Sequence, residues 1–169
     1  MIFGTPTRAS PIGDVLGPST WFSVAASSAS KWDPAEGQFA VELLARLLDA
    51  GMASPDVFLI TPFRAVASGL REAVRKSELI KRRLTNRHDW ISKRVGTVHT
   101  FQGKQAEAVI FVLGAPSPAS TDTRNWAGNP ANLLNVAVSR AQERLYVIGE
   151  RSAWRRAGAF ATLHELLPQ

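Results

Sequence analysis

The chain has 169 residues, 45% hydrophobic and 20% charged, a balance that supports one domain with a buried core and excludes a disordered or fibrous chain. Its formal charge of +6 and pI near 10.5 suit a polyanionic partner. Cysteine is absent, which excludes a disulfide framework and a thiolate metal site, and no apolar run approaches the roughly 18 residues of a membrane span. The N-terminus, MIFGTPTRAS, also lacks the basic-then-apolar order of a secretory signal, so the expectation is an intracellular, cytoplasmic chain without a metal site or a membrane partner.

Residues 1–20 carry Pro6, Pro11 and Pro18 among Gly and Ser without periodicity and read as an irregular arm or linker, which leaves 21–169 for the domain. WFSVAA, from Trp21, reads as a first strand, followed by a serine-rich loop to Lys31. Next comes the clearest helix. Asp33 is placed to cap it, Pro34 takes its first position, Glu36 falls where a capping box needs an acid, and Gly51 follows its end. Ala40, Leu43, Leu44, Leu47 and Leu48 share one face; Gln38, Glu42 and Arg46 share the other.

VFLIT, 57–61, is a short apolar strand that runs through TPFR into a helix marked by Val66, Leu70 and Val74. Residues 94–98 and 108–113 read as two more strands, the second apolar throughout, as a strand covered on both faces must be. Residues 114–129 read as a long polar loop, 130–141 as a helix and 145–149 as a last strand. Strands alternating with helices predict an α/β fold, a parallel sheet with helices on both faces and ligand groups at the carboxyl ends of the strands.

Two segments carry polar groups in patterns that packing alone does not require. In GTVHTFQGK, residues 96–104, Thr97, His99 and Thr100 would stand where a strand ends, and Gly103 would let a phosphate or another backbone come close. A simple turn accounts for the same residues. In the helix at 130–141, Leu133, Leu134, Ala137 and Val138 share one arc while Asn135, Ser139 and Arg140 face the other way. A solvated face whose arginine satisfies the last carbonyls explains that pattern equally.

Taken in order, GTVHTFQGK with AEAVIFVLG and then NVAVSRAQERLYVIG resemble motifs V and VI of the Upf-like branch of superfamily 1 DNA and RNA helicases. ITPF, residues 60–63, is similar to the family's motif IV region. The resemblance implies a RecA-like domain of the P-loop NTPase type, the second of two between which ATP and Mg2+ are held. The chain has neither a G-x-x-x-x-G-K-(S/T) loop nor an apolar strand ending in Asp-Glu, so the groups that grip phosphates and metal are expected on a separate N-terminal RecA-like domain, and this chain alone is not expected to hydrolyse ATP.

By the same resemblance, Arg140 and then Arg64 are the candidates for an arginine that stabilises transition-state charge on the γ-phosphate. Gln102, Gly103 and Gln105 would face the nucleotide, with Glu36 as an acid that could pair with a motif arginine. Thr61, Thr97, His99, Thr100, Asn135 and Ser139 would contact the backbone of single-stranded DNA or RNA. Two positions depart from the family's pattern: Gln105 stands where it has an acid, and Val66 where it has a glutamine. These departures favour the alternative of a non-hydrolysing nucleic-acid-binding or regulatory module derived from a helicase.

Two further features have a functional and an ordinary explanation. The basic residues Arg71, Arg75, Lys76, Lys81, Arg82, Arg83, Arg87, Lys93 and Arg94 outnumber Glu72, Glu78 and Asp89 between them, and could extend an electrostatic track or form a solvated face. Trp90 and Trp126 could stack on bases or pack locally.

Overall fold

A computed structural model describes residues 10–129 and 132–169. Five strands form one fully parallel sheet: β1 (Thr20–Ser23), β2 (Val57–Thr61), β3 (Val95–Thr97), β4 (Ala106–Val112) and β5 (Ala141–Gly149), in the spatial order β1-β5-β4-β2-β3. The predicted α/β class and parallel sheet are what the structure has. The longest strands, β4 and β5, lie at the centre, and the short β1 and β3 form the borders.

Helices pack around the sheet. They are α1 (Pro11–Leu16), α2 (Pro34–Asp49), α3 (Arg64–Lys76), α4 (Arg87–Arg94), α5 (Thr121–Gly128), α6 (Asn132–Ser139), α7 (Arg151–Trp154) and α8 (Phe160–Leu166). In α2, Ala40, Leu43, Leu44, Leu47 and Leu48 are buried while Gln38, Glu42 and Arg46 are exposed, so the predicted faces are the real ones. The residues of β2 are all buried, as are Ala108 to Val112 of β4, which is why neither strand shows an apolar–polar alternation.

Three features differ from expectation. Residues 11–16 form a helix capped by the Ser10 hydroxyl, with Ile12 and Leu16 in the core, where an irregular arm was predicted. Its prolines mislead because Pro11 sits at the first helical position, where no amide is needed. Residues 114–129 hold a 3-10 turn, Pro118–Ser120, and α5, where a polar loop was expected. The capping box at α2 does not close: Asp33 Oδ1 accepts the Ala35 amide at 2.8 Å, but Glu36 turns to accept the Gly114 amide at 2.9 Å.

Candidate functional site

Because every strand runs the same way, the carboxyl ends of β2 and β3 open on one edge of the sheet. There Thr61 leads into Pro62, Phe63 and Arg64, and Thr97 leads into a 3-10 turn, Val98–Phe101. Arg64, Thr97 and His99 line a common cleft of about 780 Å3 together with Lys31, Phe63 and Trp126. Arg64 and His99 are exposed there; Thr97 Oγ1 lies 3.4 Å from Thr100 Oγ1, so the two hydroxyls share one small patch. Thr61 differs from them. It is fully buried, and its hydroxyl accepts the Phe63 amide at 3.3 Å, which shapes the turn into α3 rather than facing the cleft.

From Phe101 the chain returns across the sheet to start β4 at the opposite, amino edge. Gly103 has φ +79 with open space around its Cα, and the turn it permits brings the Lys104 amide back to the Phe101 carbonyl at 2.9 Å. Phe101 itself is buried against Phe58, ring centroids 4.4 Å apart. The segment 98–105 thereby joins the carboxyl-edge cleft to the amino edge.

At that amino edge, α6 ends and β5 begins. Arg140 donates from Nη1 to the Phe101 carbonyl at 3.1 Å and from Nη2 to Ser139 Oγ at 3.0 Å, while its Nε is buried with no hydrogen-bond partner. No acidic partner holds it among the described residues. Gln105 Nε2 donates to the Ser139 carbonyl at 3.3 Å, and Ser139 Oγ to the Val136 carbonyl at 2.9 Å. Asn135 is exposed on the same helix. Gln102 lines a smaller cavity of about 340 Å3 with Val98, His99, Trp126, Leu133 and Val136.

The structure thus gathers the sequence-selected residues into two groups. Arg64, Thr97, His99 and Thr100 belong to the carboxyl edge; Arg140, Gln105 and Ser139 belong to the amino edge, since they precede β4 and β5, whose first residues Ala106 and Ala141 are paired. The two arginines do not line one cavity.

Glu36 lies apart from both groups. It is 1% exposed on α2, and its Oε2 is buried without a partner. Burial pushes its carboxyl up to about 8, opposed by the Gly114 amide and reinforced by the neighbouring Asp33 and Glu150. No ion pair with an arginine forms there among the described residues.

The basic stretch resolves into local pairs. Arg75 and Lys76 pair with Glu72, Lys81 with Glu78, Arg83 with Asp49, Lys93 with Asp89 and Arg94 with Asp56. Arg71 and Arg87 donate to the carbonyls of Val95 and Lys81. Much of it also lies beside the segment entering β2, to whose Ala53 carbonyl the Thr85 amide donates, at the edge of the sheet opposite the cleft. Most of these basic residues thus stand in exposed local ion pairs. Trp90 is also withdrawn from stacking, being 3% exposed with its Nε1 on the Pro55 carbonyl at 3.2 Å.

Lys31 and Phe63 line the cleft without having been candidates from the sequence, whereas Trp126, for which stacking and local packing both stood open, lines the same cleft. Lys31 and Phe63 follow β1 and β2, so the strand-end rule alone could have found them. Trp126 reaches the cleft because it sits on α5, where the sequence reads as a polar loop. Among the described residues, no group of three or more His, Cys, Asp or Glu could hold a metal ion, and no helix is long and apolar enough to cross a membrane.

Residues 17–152 match the family described as an AAA domain. Over 136 residues, 79% of this chain, the sequence is 29% identical to the DNA polymerase alpha-associated DNA helicase A of Schizosaccharomyces pombe, covering 18% of that protein. It is 22% identical over 129 residues to the DNA replication ATP-dependent helicase/nuclease JHS1 of Arabidopsis thaliana, covering 73% of this chain and 8% of that one. To the DNA-binding protein SMUBP-2 of Rattus norvegicus it is 28% identical over 123 residues, 72% of this chain and 11% of that one. The chain spans less than a fifth of the length of these curated relatives.

Proposed function

The chain belongs to the AAA domain family that forms the C-terminal helicase domain of Upf-like superfamily 1 helicases, and from that membership we propose that it is the second motor domain of an ATP-dependent DNA or RNA helicase or translocase. An N-terminal RecA-like domain would supply the phosphate loop and the magnesium ligands. This chain would supply Arg140 to the γ-phosphate and grip a single strand through Arg64, Thr97, His99 and Thr100.

One observation carries this proposal: Arg140 is fixed to the Phe101 carbonyl, and Phe101 lies on the same short segment that begins at the carboxyl-edge cleft. A guanidinium that moves toward a phosphate must let go of, or drag, that carbonyl. The segment 98–105 is then a direct mechanical link between nucleotide and strand. The charge of Arg140 is not consumed by a carboxylate among the described residues, so the guanidinium fits an anion brought from outside. Gln102, Gly103 and Gln105 lie on the same segment and would border the nucleotide. Asn135 and Ser139 would stand beside Arg140 on α6 rather than along the cleft.

The test is the polypeptide that joins this chain to a phosphate-loop domain. Arg140→Ala is expected to lower single-strand-stimulated ATP hydrolysis by on the order of 10³ or more while ATP binding survives. Hydrolysis at the wild-type rate removes Arg140 from the chemistry.

A second function, a nucleic-acid-binding or regulatory module without turnover, is favoured by Gln105. Its amide donates to the Ser139 carbonyl, a bond that a carboxylate could not make. The side chain that replaces the family's acid is therefore engaged in holding α6. Single-strand binding without stimulated hydrolysis in the joined polypeptide selects this function.

A further inference from the structure

Among the five tryptophans, Trp21, Trp90 and Trp154 are buried and Trp32 is half-buried, whereas Trp126 is 62% exposed. Exposing so large an apolar surface is costly unless something covers it. Its position is held by unusual means. Arg124, two residues earlier, is 5% exposed and donates to the carbonyls of Ala115 at 2.8 Å and Ser117 at 2.6 Å, tying α5 to the end of β4. Gly128, two residues later, fits so closely against the Ala157 carbonyl that an added Cβ would meet it at 2.2 Å. The helix is clamped on both sides of an indole that faces outward.

One face of that indole lies near Phe63, with ring centroids 6.2 Å apart and planes 29° from parallel. Phe63 is in turn covered by the Lys31 ammonium, 5.3 Å from its centroid. The cleft beside the indole presents Arg64, Lys31, His99 and the Thr97 hydroxyl, with Asp122 as its one acid. An aromatic face bordered by cations and a hydroxyl suits a planar base attached to a phosphate. A hydrophobic protein partner would leave those cations buried and unpaired.

We propose that the open face of Trp126 is a stacking platform for one base of a single-stranded nucleic acid whose sugar–phosphate chain runs past Arg64 and Thr97. The proposal rests on the strand-binding function given above and adds the residue that senses bases within it. Stacking is indifferent to base identity, so the platform selects unpaired over paired strands rather than one sequence over another.

The test compares the full chain with its Trp126→Ala and Trp126→Phe variants on oligothymidylate, oligouridylate and the matching sugar–phosphate chains without bases, by anisotropy of a labelled strand. Trp126→Ala is expected to weaken the base-bearing strands roughly tenfold, to leave the baseless chains unchanged, and to be largely rescued by Phe. Strand binding is also expected to quench intrinsic fluorescence in the wild type and much less in Trp126→Phe. A wild type that binds base-bearing and baseless chains equally overturns the platform but keeps the backbone grip. Binding to neither overturns both. Full affinity in Trp126→Ala overturns the platform and gives this face to a protein partner.

Discussion

Arg140 and Phe101 are 39 residues apart in sequence, yet the guanidinium of one donates to the carbonyl of the other at 3.1 Å. The same oxygen also accepts the Lys104 amide at 2.9 Å, so it anchors both the turn at Gly103 and the end of α6. Lysine cannot reproduce this, because one ammonium lacks the planar fork that spans the Phe101 carbonyl and Ser139 Oγ together. Arg140→Lys is expected to lose about 1 kcal/mol of unfolding free energy in urea and, in the joined polypeptide, to hydrolyse ATP nearly as poorly as Arg140→Ala. A lysine variant with wild-type turnover would show that charge alone is what position 140 contributes.

Gln105→Glu restores the family's acid but removes the donor to the Ser139 carbonyl. Since the side chain is exposed, the stability change is expected to stay within about 1 kcal/mol. The informative quantity is nucleotide affinity in the joined polypeptide. A motor whose ribose grip was weakened by glutamine gains affinity with glutamate; a module that has abandoned turnover does not. Titration with a fluorescent ATP analogue reads the difference.

Glu36 gives the chain a pH dependence of defined sign. Its carboxyl is raised from 4.5 to about 8 in the folded state, so the folded state holds the proton more tightly than the unfolded one. The favourable contribution is complete below the unfolded value and is lost as pH climbs toward 8. Denaturant unfolding is expected to show stability falling between pH 5 and pH 8 by an amount on the order of 3 kcal/mol attributable to this group. Glu36→Gln should flatten that slope; an unchanged slope assigns it elsewhere.

Charge on the two edges of the sheet should behave differently toward a single strand. Arg64 faces the cleft, whereas Arg83, paired with Asp49, lies on α2's side of the basic stretch. Arg64→Gln is expected to reduce the salt dependence of binding by about one phosphate contact, and Arg83→Gln to leave it unchanged. Measuring affinity across a salt series for both variants checks the assignment, and equal slopes would return the basic stretch to the binding surface.

Gly128→Ala tests the clamp on α5. The added methyl would strike the Ala157 carbonyl, which is backbone and cannot rotate away. A loss of about 1–3 kcal/mol is expected in chemical denaturation, as for other overpacked positions.

Much of this architecture could be read directly. VFLIT becomes β2 residue for residue, and the Asp33-Pro34 start of α2 is real, because apolar periodicity and capping chemistry act over a few neighbouring residues. The apolar arc of α6 also holds: Leu134 and Ala137 are buried, and Asn135 and Ser139 are exposed. What escaped was set by distant contacts. Glu36 leaves its own helix end for Gly114, 78 residues away, and α5 is stabilised by Arg124 reaching the carbonyls after β4. Neither partner is visible from local spacing. Arg140 directly precedes β5, so its place at the amino edge follows from chain order.

The placement of β3 at the border of the sheet sets what can move. Three residues, Val95, Gly96 and Thr97, pair with Leu59, Ile60 and Thr61 on one flank only among the described residues, whereas β4 is paired on both flanks. Peeling an outer ribbon this short sacrifices a handful of amide bonds; displacing an inner one would tear two ladders at once. A tug on Phe101 can therefore be relayed to Thr97 as a small slide along the rim, with the interior strands standing as the fixed frame against which it is felt.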